Sequence, residues 1–253
     1  MIALGALFPD TIAPHIGFIL VGASFLTSAI SGAFGMGGGV TLLALMGLFL
    51  PVPALIPVHG MVQLGSNAGR AWQLKSDIAW RRLTPFFVFG VAGALVGAML
   101  VVELPDAILK TVLGLFVIVI MWVKLPPVAA KSNVSMAIGG FVTNVLTMFL
   151  GATGPLVIAL FSRQFGVKEV AVASAAVGMM FQHFVKVIAF GVLGFAFSEW
   201  IPLIIAMVIS GYAGTVAGVK LLKRFPEERF RFWFRIGMTV LGADLVRRGL
   251  MAL

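Results

Sequence analysis

The stretch Ser31-Gly32-Ala33-Phe34-Gly35-Met36-Gly37-Gly38-Gly39 lies inside an apolar run that extends from Ile16 to Leu50. Each glycine in a helix costs roughly 0.5–1 kcal/mol relative to alanine. A membrane segment carries so many only where its backbone has to break. Broken backbone at membrane depth is tolerated where it is buried in protein or lines a watery cavity. A weaker copy, Gly151-Ala152-Thr153-Gly154-Pro155, sits inside a second apolar run. Glycine- or proline-interrupted segments at corresponding places in two halves of a chain point to the binding site of a transporter.

Composition supports a membrane protein. Of 253 residues, 60% are hydrophobic and 11% charged, against about 25% charged in soluble domains. The expected class is an all-α, multi-pass protein of the inner cell membrane, with the lipid bilayer as a partner and little extramembrane structure. The start, Met1 to Asp10, has no basic region ahead of an apolar core, so no cleavable signal is expected. The chain has no cysteine, which removes disulfides, thiolate metal sites and thiol chemistry. No metal, cofactor or catalytic residue is expected. The net charge of +9 is assigned to cytoplasmic loops facing anionic lipid, and not to nucleic acid.

The plan of the chain repeats. A first repeat, 1–126, holds a broken segment at 16–50 and helices at 54–72, 83–102 and 107–123. A linker from Lys124 to Asn133 carries two prolines. A second repeat, 133–253, holds a broken segment at 134–162 and helices at 170–192, 201–221 and 232–250. Laid over each other, Gly35, Gly38 and Gly39 fall on Gly151, Gly154 and Pro155. Gln63 falls on Gln182 and Asn67 on Lys186, while Ala92-Gly93, Gly97 and Pro105 fall on Ala213-Gly214, Gly218 and Pro226.

Loop charge sets the orientation. The loop of Arg70, Lys75, Arg81 and Arg82 is basic, but its counterpart holds only Glu199. The Glu103–Asp106 loop is acidic, but its counterpart, from Lys220 to Arg235, is strongly basic. Opposite signs in corresponding loops imply inverted repeats under the positive-inside rule. Inversion requires three crossings per half, so each broken segment dips in and returns to the same side. Lys110, Arg247 and Arg248 are then the only outside cations, and Lys186 lies within the membrane.

The glycine segment followed by a proline-flanked polar helix resembles the TauE/SafE family of sulfite and organosulfonate exporters, and Gly151 to Pro155 resembles that family's repeated glycine motif. The resemblance spans nearly the whole chain. The second copy departs from the first at Thr153, where the first half has Gly37, and at Pro155. The resemblance implies a secondary transporter that exports small sulfur-containing anions such as sulfite or organosulfonates.

Several polar residues fit such a role. His59, Gln63, Ser66, Asn67 and Arg70 share one helical face about 100° wide. Gln63, Asn67 and His59 are candidate substrate ligands, with interhelical hydrogen bonding as the plain alternative. Arg70 reads as a cytoplasmic end charge. Gln182 and Lys186 share a face of the equivalent helix. A charge at the bilayer centre costs at least about 2.5–3.5 kcal/mol, so Lys186 is a functional candidate whose missing counter-charge an anion would supply. The alternative is pairing with helix C-terminal carbonyls. His183 points about 100° away from Gln182 and reads as packing. At the breaks, Gly35, Gly37, Gly38, Gly39, Gly151, Thr153 and Gly154 would present N–H groups and half-helix N-termini to an anion.

Two other functions compete. A cation- or proton-coupled permease needs intramembrane carboxylates, for which Asp244 is the one candidate. An intramembrane serine hydrolase would use Ser66 with His59 or His183, but the Gly-x-Ser-x-Gly pattern is absent. A homodimer is a further arrangement the sequence leaves open.

Overall fold

The structure is a computed structural model that describes residues 8–9, 11–34, 37–101, 105–123, 132–221 and 227–252. Among the described residues it is all helical. The helices are α1 (Pro14–Phe34), α2 (Gly38–Phe49), α3 (Val52–Gln73), α4 (Trp80–Val101), α5 (Asp106–Trp122), α6 (Asn133–Leu150), α7 (Gly154–Phe165), α8 (Lys168–Val192), α9 (Ile201–Leu221) and α10 (Glu227–Leu250). Short 3-10 turns, Lys75–Asp77 and Phe197–Trp200, precede α4 and α9. α10 starts at Glu227, where the sequence reading begins its last helix at 232. Residues 124–131 of the expected linker and the cations Lys223 and Arg224 lie outside the described residues, as do Gly35 and Glu103.

Both expected breaks are present. Gly37 turns with φ +96° and Gly151 with φ +70°, a region that L side chains rarely enter. Each break separates a helix of spanning length from one of 12 residues, about 18 Å long. Pro51 caps α3, Pro155 stands in the first turn of α7, and Ser132 caps α6 by accepting the Ser135 N–H. After its break each short helix folds back along its predecessor. Gly38 donates its N–H to Ser31 Oγ at 3.0 Å, and a β-carbon at Gly38 would meet the Thr27 carbonyl. Likewise Gly139 lies under Leu160, and the Thr153 hydroxyl reaches the Thr143 carbonyl.

The remaining packing has the same pattern in both halves. α1 packs along α9 through Gly214 and Gly218, which lie on the backbone of Phe25 and Ala29. α4 packs along α6 through Gly93 and Gly140, which lie on the backbone of Phe141 and Phe86. Glycine at such crossings lets the backbones approach closely. α3 crosses α8, and α5 crosses α10. Gly60 touches Lys186 and Val187 near one end of α8, whereas the Ala79 amide, just beyond α3, donates to Ser174 Oγ near the other. α3 and α8 therefore run in opposite directions. So do α5 and α10: Trp122 Nε1 donates to Thr239 Oγ1, and Gly249 packs on Ala107 and Thr111.

Among the described residues five helices are long and apolar enough to cross a membrane: α1, α4, α6, α8 and α9. α3 falls short in apolar character because its central face is polar. Large apolar side chains cover the exterior, including Leu26, Val88, Met99, Ile138 and Ile209. A water-exposed surface would not carry so many, and lipid accounts for them. Inside, two larger apolar clusters form among the described residues, beside a small one around Leu109. Leu20, Leu43, Met46, Val58 and Leu245 belong to one, and Leu83, Phe86, Val157 and Phe161 to the other.

Candidate functional site

A cavity of about 50 Å³ opens where the two clusters meet and where both breaks converge. From the first break it takes Ser31, Gly37, Gly39 and Val40, and from the second Ala152, Gly154 and Pro155. α3 contributes Gln63, Asn67 and Arg70; α8 contributes Met179 and His183. The short helices α2 and α7 thus both begin at its wall. Helix N-termini carry orphan N–H groups and partial positive charge.

The first break is held from α3. His59 Nε2 hydrogen-bonds the Gly39 carbonyl oxygen at 2.9 Å. His59 is fully buried, its Nδ1 makes no hydrogen bond of standard geometry among the described residues, and its ring lies edge-on to that of His183, with centroids 5.9 Å apart. A β-carbon at Gly39 would fall on the Gln63 amide nitrogen, so the side chain of Gln63 rests on the break. Asn67 donates to the Gln63 carbonyl at 2.8 Å, one turn back in its own helix.

The second break is held from α8. Lys186 is wholly enclosed and donates to the Gly151 carbonyl at 2.6 Å, with His183 Nδ1 at 3.4 Å. Gly151 caps the C-terminus of α6, where the helix dipole favours a cation. Gln182 donates to Thr143 Oγ1 at 2.7 Å and lies 3.3 Å from Thr153 Oγ1. These bonds fix the turn into α7. Asn144, which sequence reading did not single out, is fully buried beside them, and its Oδ1 has no partner among the described residues.

The expected residues therefore separate into two groups. Gly37, Gly39, Gln63, Asn67 and Gly154 line the cavity. Gly38, His59, Gly151, Thr153, Gln182 and Lys186 stand behind them and hold the breaks in shape. Gly35 lies outside the described residues. Two residues given minor parts from sequence line the cavity instead: His183, read as packing, and Arg70, read as an end charge. Arg70 is in the last turn of α3, yet its guanidinium has no ion pair or hydrogen bond among the described residues. Ser31 was also missed, because a lone serine before a glycine run is not a distinctive signal.

The competing functions gain little here. Asp244 is paired with Arg247 and Arg248, at 2.6 and 2.7 Å near the end of α10, and does not line the cavity. Ser66 has no hydrogen bond to His59 or His183. Among the described residues no three His, Cys, Asp or Glu side chains cluster as metal ligands.

The family model described as Sulfite exporter TauE/SafE matches residues 20–245 of the chain. No curated protein and no solved structure matches it.

Proposed function

The chain belongs to the TauE/SafE family, and from that premise we propose that it is a secondary transporter exporting a small sulfur oxyanion, sulfite or a short organosulfonate, bound in the cavity between the two helix breaks. Arg70 carries this reading: it is a guanidinium on the cavity wall with no protein counter-charge among the described residues. Its planar fork suits an oxyanion. The amides of Gln63 and Asn67 and the N-termini of α2 and α7 supply further donors. The cavity of about 50 Å³ has room for about three to five waters. That suits sulfite or methanesulfonate and is tight for a longer chain.

In this reading Lys186, His59, Gln182 and Thr153 keep the breaks open, and Lys186 adds positive potential from behind. The opposed directions of α3 and α8, and of α5 and α10, support inverted repeats around the site. The test is thermal unfolding of purified protein with sulfite, methanesulfonate, sulfoacetate, thiosulfate and chloride, followed by efflux from proteoliposomes. Ligand binding raises apparent stability by mass action. We expect stabilisation by sulfite or methanesulfonate that is lost in Arg70→Gln. Stabilisation by chloride alone would overturn the sulfur-anion assignment.

Proton coupling is the second reading. One observation favours it: His183 lines the cavity and contacts Lys186, so a proton exchanged at the cavity has a buried acceptor. Alkalinisation or acidification that tracks anion efflux, and that is abolished in His183→Gln, would support it.

A further inference from the structure

A second cavity, about 290 Å³, lies between α3 and α9, and Arg70 is the one residue that lines both. Gln63, Asn67 and Arg70 face the central cavity, while Ser66, Arg70 and Gln73 face this cleft. Across it stand Tyr212 and Thr215 of α9. The two helices touch where Gly65 faces the Val208 methyls and part towards Gly69, where an added β-carbon would first meet Tyr212, at 3.8 Å. Arg70 therefore sits at the edge between two adjacent faces of one helix.

The cleft is mostly apolar, but it carries polar groups that lipid would not satisfy. Ser66 makes no hydrogen bond within the protein among the described residues, and Gln73 is exposed. An unpaired hydroxyl and a primary amide beside a guanidinium need water or an anion. The cleft also opens at the end of α3 that leads to the exposed cations Lys75, Arg81 and Arg82. Clefts lined by one sign of charge concentrate ions of the opposite sign.

We propose that the α3–α9 cleft is the aqueous vestibule through which the oxyanion reaches the central cavity, with Arg70 as the ligand common to both. The inference rests on the anion-transport reading above and adds the path and its loading side. That side is the basic one, which the positive-inside rule assigns to the cytoplasm, where an exporter loads. Sulfonates and phospholipid headgroups present the same charged oxygens. The occupant proposed here is the soluble anion, because a vestibule must stay open to exchange.

The absence of native cysteine makes a direct test clean. Ser66→Cys and Thr215→Cys each place one thiol in the cleft. Inside-out vesicles of phosphatidylcholine, with and without phosphatidylglycerol, are treated with sulfonatoethyl methanethiosulfonate, an anion, or with its trimethylammonium counterpart. Rates are divided by those of free cysteine. We expect about a tenfold or greater preference for the anionic reagent, in both lipids, that disappears when Arg70→Gln is added. Attachment of the sulfonate should also block efflux. Thiols unreactive towards both reagents, or a preference indifferent to Arg70→Gln, would overturn the proposal. A preference abolished by phosphatidylglycerol would overturn it too, by assigning the cleft to lipid headgroups. Labelling needs no transport, so an anion-selective cleft in a protein that does not move sulfite would preserve the vestibule and defeat the substrate reading alone.

Discussion

Lys186 donates from α8 to the carbonyl oxygen of Gly151 at 2.6 Å, so this enclosed cation is committed to the C-terminus of α6. A charge-assisted bond of this kind contributes about 1.5–3 kcal/mol. Thr147 Oγ1 also reaches that oxygen, at 3.4 Å. Lys186→Met removes the bond, partly offset by no longer burying an ammonium. The expected result is a loss of about 1–3 kcal/mol in stability with a modest loss of anion affinity. Arg70→Gln should do the reverse, leaving stability within about 0.5 kcal/mol and weakening anion binding at least tenfold. Thermal unfolding and ligand titration on the two variants side by side check both statements.

The adjacent glycines of the first break should respond differently. A β-carbon at Gly38 meets backbone, the Thr27 carbonyl, whereas one at Gly39 meets the end of the Gln63 side chain. Backbone cannot step aside without moving α1 against α2. Gly38→Ala should therefore cost about 1–3 kcal/mol, the range for overpacking, and lower the yield of folded protein. Gly39→Ala should fold normally and push Gln63 into the cavity, reducing affinity for the anion. Size-exclusion profiles and binding curves compare them; equal behaviour of the two variants would contradict the assignment.

Orientation is testable with the same cysteine-free background. Ser76, in the 3-10 turn before α4, and Ser198, in that before α9, are both exposed. Loop charge places the first inside and the second outside. In intact cells an impermeant thiol reagent should label Ser198→Cys and spare Ser76→Cys. Labelling of both, or neither, is incompatible with inverted repeats.

Much of the fold is legible in the sequence because its signals are local. Glycine and proline mark both breaks, and apolar runs of spanning length mark the long helices. The polar face of α3 is likewise visible from spacing, and it does meet the cavity through Gln63 and Asn67. What spacing does not reveal is which partner a side chain finds. Lys186 looks uncompensated in sequence because its acceptor is a main-chain carbonyl, which every residue has. His183 looks like packing because it points away from Gln182, yet the cavity wall extends around α8 to reach it. Arg70 looks like an end charge because its distance from the end of α3 says nothing of the two cavities meeting there.

The last prediction concerns the driving force. Among the described residues no carboxylate lines the cavity, and Asp244 is bound by two arginines elsewhere. The site thus holds positive groups for an anion and no acid to carry a coupling cation. An inside-negative potential favours outward movement of one negative charge by about 2.3 kcal/mol per 100 mV, nearly fiftyfold in concentration at equilibrium. If Arg70 and Lys186 keep their charges and stay in place, the charge moved per cycle equals the charge of the anion. Proteoliposomes loaded with methanesulfonate, with the potential clamped by potassium and valinomycin, give the measurement. Efflux should accelerate as the interior is made negative, and the flux should reverse near the potential set by the methanesulfonate gradient. A reversal potential that shifts with the pH gradient would instead assign the energy to protons and bring His183 into the cycle.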